Sequence, residues 1–501
     1  MYEAALALSV VCFVLVTGYF VRSASFSLFH PLTFYAVFHG FIFVFRPIVV
    51  WLNDYSYVYR GYQFTPSPSD KLTVILASNA GFLAFAFFCL LSGNVAMRFK
   101  QDDFSHAERD RLKPLLLGVL AICVPISLYS LGTLWLGAAS GSAYATMTMD
   151  AGTGVIINTQ TNGYLTEAQL MLASCGTLVA WVYRFRLLSI LPLLAFAVFR
   201  AGTGGRGPFV AALVTVGLLY LYEHRRRMPS LRVMGLLIAV VFAFSSVGTD
   251  RGAAIRQAIS TDDTSIFKAD LSNQRWLEGM DFANLEYFEY LVYAIPQRTQ
   301  TYSYFLDSLQ VFTEPVPRVL WADKPVGAPF NKIFLFNYGR PIGMTRSLPG
   351  EGWFAWGWFG VFIWCSLWGY VLGLIYRKFV EGTQSAFKTA AYMIFVPILI
   401  VGYRDGTLVT IFRQGLFYLA PVGLWYLISR YFGVPSAAAM RAAAVRRLRR
   451  SAAGDAGGET SPAPSSSPAP PSERPDAALA VLPAAVQRRR AALASGGAQK
   501  P

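Results

Sequence analysis

Apolar residues in this chain do not alternate with polar ones but run together in long blocks. Blocks near 4–21, 28–52, 72–97, 114–137, 164–183, 187–200, 208–222, 231–249, 353–376, 386–403 and 407–432 are almost free of charge. About 20 such residues carry a helix across a hydrocarbon core, so the pattern predicts an all-α polytopic membrane protein of about eleven transmembrane helices. The first block has no basic residue ahead of it and no small-residue cleavage site after it, which predicts a permanent span rather than a removable signal.

Charge sets an expected orientation. Arg98, Lys100, Arg109, Arg111 and Lys113, then Arg184 and Arg186, Arg225 to Arg227 with Arg232, and Arg377, Lys378 and Lys388 all fall in alternate loops. The positive-inside rule puts those loops and the basic tail in the cytoplasm and the N-terminus outside. The expected organisation is then spans one to eight over 1–249, an external loop over 250–352, spans nine to eleven over 353–432, and a disordered basic tail over 433–501. Within the loop, Leu277, Met280, Leu285, Phe288, Leu291 and Val292 recur at near-helical spacing, predicting a helix in 271–297 that caps the bundle or lies on the membrane surface. The tail turns to Ala, Pro, Ser, Gly and Arg and cannot bury a core, although AAAMRAAAVRRLRR at 437–450 reads as a basic helix suited to anionic headgroups.

Composition narrows the classes further. Hydrophobic residues make up 54% and charged ones only 14% of 501 residues, against about 25% charged in an ordinary soluble domain. A net charge of +15 would suit nucleic acid, but it sits in short loops and the tail, so no nucleic-acid partner is expected. Cys12, Cys89, Cys123, Cys175 and Cys365 all lie in apolar blocks as small hydrophobes. His30, His39, His106 and His224 are scattered, and no metal cluster, nucleotide loop or serine elbow is present, so neither metal nor cofactor is expected.

Candidate chemistry concentrates on the predicted outer side. The turn RAGTGGRGPF at 200–209 joins a short, Pro192-interrupted span to a helix opening at Pro208. Gly205 and Gly207 let an anion approach the backbone, and Arg206 offers a planar fork for phosphate oxygens. Arg404 and Arg413, in GYRDGTLVTIFRQG, and Arg46 are cations at membrane depth that need an internal partner or a ligand. TDRGAAIR adds Asp250 and Arg251, EPVPRVLWADKP adds Arg318 and Lys324, and RSLPGEGWFAWGW sets Arg346 and Glu351 beside Trp353, Trp356 and Trp358. Glu351 is the carboxylate best placed as a general base, with Asp250 the alternative.

The order of GGRGPF opening a mid-chain helix, a long loop with VPRVLWADKP, then SLPGEGWFAWGWFGVFIW and a late YRDG turn resembles the O-antigen and capsular repeat-unit polymerases, over residues 1–432. The resemblance implies a glycosyltransferase of the bacterial cytoplasmic membrane with an O-antigen-ligase-like fold that works without metal. It would take a polyprenyl-diphosphate-linked oligosaccharide among membrane lipids and join it to another lipid-linked repeat, with a chain-length regulator and a flippase as partners. Arg206 then matches the arginine of the glycine turn, Arg318 and Lys324 those of the loop motif, and Glu351 the acidic position before the aromatic span. Ligases of this type carry a histidine in the external loop and this chain has none, which favours a polymerase. A ligase-type transferase, a lipid-linked sugar transporter and an assembly subunit stay open as alternatives.

Overall fold

Helix starts in this chain are written locally by capping side chains. His30 accepts the Leu32 N–H ahead of Pro31. Ser67 and Asp70 form a reciprocal capping box around Pro68. Ser347, Ser385 and Thr407 each accept an N–H from the first turn that follows. Each satisfies donors that a helix end leaves unpaired.

The computed structural model describes residues 1–99, 102–139, 147–149, 156–158, 167–202, 207–232, 235, 278, 282–316, 320–321, 330, 333–340 and 345–456. The main helices are α1 (Tyr2–Arg22), α2 (Pro31–His39), α3 (Arg46–Asn53), α4 (Tyr57–Tyr62), α5 (Pro68–Gly93) and α6 (Asp103–Ala139). They continue with α7 (Leu170–Val182), α8 (Leu187–Gly202), α9 (Gly207–Glu223), α10 (Asn284–Ala294) and the short α11 (Gln310–Thr313). The series ends with α12 (Leu348–Glu381), α13 (Ala386–Asp405), α14 (Leu408–Tyr431) and α15 (Ala437–Ala456). A three-residue antiparallel pair, Met147–Met149 with Ile156–Asn158, is the strand content among the described residues.

Seven helices are long and apolar enough to cross a membrane, and three shorter apolar helices lie at 167–182, 187–196 and 207–223. The protein is an all-α, multi-pass membrane protein. The expected block at 231–249 lies almost wholly outside the described residues. The block at 28–52 is a single span with a π-helical turn, Gly40–Phe45, between α2 and α3.

Two buried clusters divide the bundle. One joins α1 to α5, α10 and α12; the other joins α6 to α9 with α13 and α14. Between α5 and α12 the contact is made by small residues, as expected where lipid removes the hydrophobic drive between helices. A Cβ on Gly93 would lie 2.8 Å from the Gly373 Cα, so the two backbones touch.

The loop helix departs from expectation. Among the described residues of that window it is α10, and it is buried on all sides: every residue from Asn284 to Ala294 except Tyr293 is buried. A helix on the membrane surface would expose one face, so α10 is a wedge inside the bundle. The tail begins with α15, fixed to the start of α6 by Arg441 on Asp102 at 2.5 and 2.9 Å; residues 457–501 lie outside the described residues.

The α5 and α12 seam yields a test. A Cβ on Gly373 would meet the Cys89 carbonyl at 2.5 Å and the Gly93 nitrogen at 3.1 Å. Gly373→Val should cost at least about 1–3 kcal/mol through overpacking and visibly lower the detergent melting temperature. Gly423→Ala, with open space around it, should leave that temperature unchanged.

Candidate functional site

The turn between α13 and α14 organises one end of the bundle. Gly406 closes α13 in the left-handed region, φ +77°, and Thr407 caps α14 immediately after it. A side chain on Gly406 would strike the Ser347 carbonyl and approach the Glu351 Cβ to 3.0 Å, so only glycine lets this turn sit against the start of α12. The Ser347 N–H donates to the Arg404 carbonyl at 2.9 Å, and the Trp364 indole N–H donates to the Gly406 carbonyl at 3.1 Å. From α10, the Asn284 amide reaches the same Arg404 carbonyl at 2.9 Å and the Thr345 carbonyl and hydroxyl at 2.8 Å.

The start of α12 is itself folded back. Trp356 and Gly357 leave helical geometry (φ −162° and +56°), and a Cβ on Gly352 would lie 2.6 Å from the Val361 Cα. Residues that far apart on a straight helix would be about 13 Å apart at 1.5 Å per residue. Leu348 to Ala355 is therefore a short arm lying against the span that follows. The free carbonyls at its end, Phe354 and Ala355, accept the Ser303 and Tyr304 N–H groups at 3.1 and 2.8 Å.

This arrangement brings predicted residues together. Arg346 donates to Glu351 at 2.9 Å and, through both terminal nitrogens, to Asp307 at 3.1 Å. Its guanidinium stacks 3.7 Å from the Phe354 ring centroid. Burial raises the Tyr287 phenol, opposed by the neighbouring Arg346 charge and the hydrogen bond Arg346 donates to it, so Tyr287 stays neutral beside the pair. Arg413 donates to Glu314 at 2.9 Å and lies 3.4 Å from Glu167. Asp405 accepts the Thr407 hydroxyl at 3.0 Å and interacts electrostatically with Arg413 and Glu351. Among the described residues, the carboxylates around Arg346, Arg404 and Arg413 thus outnumber the guanidiniums.

Gly207 opens α9, and a Cβ there would meet nothing within 4 Å among the described residues. The other end of α9 lies at the start of α13, where the Tyr222 hydroxyl donates to Gln384 at 2.6 Å, whereas the end of α13 meets Ser347 beside Arg346, so Gly207 opens α9 at the Arg346 end of the bundle. Arg206, Gly205, Asp250, Arg251, Arg318 and Lys324 lie outside the described residues. Of the tryptophans, Trp353 is buried and donates to the Ile295 carbonyl at 3.0 Å, whereas Trp356 and Trp358 are exposed at the kink. Among the described residues no group of three or more His, Cys, Asp or Glu could hold a metal.

Beneath the site, α10 is held by charge. Arg46 pairs with Glu286 at 2.5 to 3.1 Å with both side chains buried, the internal ion pair that its depth required. Tyr59 donates to Glu289 at 2.6 Å, and Glu278 accepts the Ser56 and Tyr57 N–H groups.

The family described as O-antigen polysaccharide polymerase Wzy matches residues 1–432, nearly the whole membrane region and both sides of this site. The chain belongs to the O-antigen polysaccharide polymerase Wzy family. At the family level it is a membrane glycosyltransferase of polysaccharide biosynthesis. No curated protein and no solved structure gives a significant match.

In this Wzy-family chain the sequence reading missed Asp307, Glu314, Glu167, Tyr287 and Asn284. Glu167 stands at the start of the block at 164–183 and Glu314 opens EPVPRVLWADKP, but no local pattern gives any of the five its role, because each acts through a partner at least 39 positions away or through the fold around it. The available signal was the bookkeeping of charge: an arginine at membrane depth needs a carboxylate, and few exist.

Two outcomes follow from α10, which is not among the candidate spans. Glu286→Gln strands the Arg46 charge and should cost about 3–5 kcal/mol, read as a large fall in detergent melting temperature. The Glu289 carboxyl is pushed up to about 8, by burial above all, opposed by Lys71 and reinforced by Glu286. A raised pKa contributes stability that is complete below the unfolded value of about 4.3 and lost as pH rises through about 8. The melting temperature should fall between pH 5 and pH 8.5, and Glu289→Gln should flatten that dependence.

Proposed function

We propose that the Arg346 end of the bundle binds a polyprenyl-diphosphate-linked oligosaccharide and transfers its glycan to a hydroxyl of another lipid-linked repeat, at the outer face of the bacterial cytoplasmic membrane. The observation that carries this reading is the contact between Arg346 and Glu351 at 2.9 Å, with Arg413 in the same charged cluster. A guanidinium fork suited to phosphate and a carboxylate suited to a hydroxyl proton stand side by side.

In the reaction the anomeric C–O bond to the diphosphate breaks and its electron pair leaves with the phosphate oxygen. Arg346 and Arg413, with Arg206 from the glycine turn, meet that developing charge. The acceptor oxygen forms the new bond from the opposite face, inverting the anomeric carbon, and its proton passes to Glu351. Arg346 orients the carboxylate for this transfer. Activation is already stored in the diphosphate ester, so the scheme calls on no cofactor. The outer-face assignment rests on the Lys and Arg distribution, and with it a single cysteine at Asn331 in a cysteine-free background should be labelled from outside cells while one at Ser451 is not.

Purified protein incubated with a defined lipid-linked repeat tests the chemistry. Wild type should yield a ladder of polymers; a single transfer to a different lipid acceptor would indicate a ligase-type enzyme instead. Arg206→Ala and Arg346→Lys should each lower turnover about a hundred- to a thousand-fold, the usual cost of one donor aimed at developing charge. Glu351→Gln should lose about a hundred- to ten-thousand-fold. Polymer formation within about threefold of wild type in all three, at matched melting temperature, is far short of these losses and overturns the reading.

A further inference from the structure

The segment from Leu306 to Glu314 has a root, a weak seat and two charged prongs. Its root is fixed, because the preceding Ser303 and Tyr304 N–H groups donate to the carbonyls that end the folded-back arm. Tyr304 and Phe305 both take positive φ, 50° and 62°, and turn the chain sharply at that point. The seat is weak: neither the 3-10 turn Leu306–Leu309 nor α11 buries a single residue, and Phe312 is 76% exposed. Among the described residues the Ser308 hydroxyl, shut off from solvent, has no hydrogen-bond partner. The prongs are Asp307, on both terminal nitrogens of Arg346, and Glu314, on Arg413, with the Gln310 amide reaching the other Glu314 oxygen at 3.3 Å. One short segment therefore carries carboxylates to two arginines far apart in the chain, Arg346 just ahead of α12 and Arg413 in α14.

We propose that Leu306 to Glu314 is an anionic strap that occupies Arg346 and Arg413 in the resting protein and gives them up to an anionic substrate by swinging on Tyr304 and Phe305. The proposal rests on the reading of these arginines as a diphosphate site. A carboxylate and a phosphate use the same guanidinium fork, so their exchange replaces like with like, and the strap has little apolar burial to lose when it leaves. Tethering makes the two carboxylates a standing competitor at high effective concentration. The strap thereby sets how strongly an anion must bind to enter, and it keeps the two cations neutralised until one does.

The test uses the full-length protein with its five cysteines replaced and spin labels at positions 312 and 427, both exposed, with inorganic pyrophosphate as the probe. The comparison variant is Asp307→Asn with Glu314→Gln; it leaves Arg346 on Glu351 and Arg413 beside Glu167, so the bundle keeps counter-charges. Saturating pyrophosphate should broaden and lengthen the distance between the labels in the wild-type background. The variant should show that broadened distribution without ligand and bind pyrophosphate on the order of tenfold more tightly, as expected when a competing charged hydrogen bond is removed. Pyrophosphate binding to the variant alone also supports the strap, as a competitor the probe cannot displace. Equal affinity in both proteins with an unchanged distance overturns the strap and leaves the diphosphate site standing. Absence of binding to either protein overturns the site and the exchange together.

Discussion

An arginine carried into a membrane bundle must meet a negative charge, and here that requirement decides which distant segments touch. Arg46 meets Glu286, Arg109 meets Glu223, Arg346 meets Asp307 and Glu351, and Arg413 meets Glu314. Most of these pairs join a span to a segment far along the chain, so each works as a clamp as well as a neutralised charge. Breaking a clamp strands a charge where water is scarce, which is why removing one partner costs far more than a surface pair contributes.

The clamp between Arg46 and Glu286 has the widest reach. It fixes α10 as a wedge against α5 and α12, and α10 in turn presents Asn284 to the Arg404 and Thr345 carbonyls. Phe288 and Leu291 from that helix close over Gly350 of the folded-back arm. A contact deep in the second span thus determines where Arg346 and Glu351 stand. The glycines at 352, 357 and 406 supply what charge cannot, namely a backbone close enough to fold the arm down and tuck the turn beneath it.

At the opposite end the same physics serves architecture. Arg109, held by Glu223 and stacked 5.5 Å from the Trp181 ring centroid, ties α6, α7 and α9 together. The contrast lies in balance. Among the described residues, that end sets Arg109 against one carboxylate, Glu223, with His106 and an indole beside it, whereas the Arg346 end gathers Asp307, Glu351, Asp405, Glu314 and Glu167 around its arginines. The Arg346 end holds more carboxylates than guanidiniums among the described residues, and the proposed strap supplies two of them.

The sequence by itself determined that the chain is a helical membrane protein and which family it resembles, because hydropathy and glycine turns act through neighbours in the chain. It also brought Arg346 and Glu351 into consideration as a pair, since only five positions separate them. Tertiary structure alone decided that Asp307 and Glu314 share those arginines, that α10 is a buried wedge, and that α12 starts with a folded-back arm. The reason is physical: a hydropathy block records transfer from water to lipid residue by residue, while a charge pair or a backbone contact is a property of two segments and exists only once both are in place.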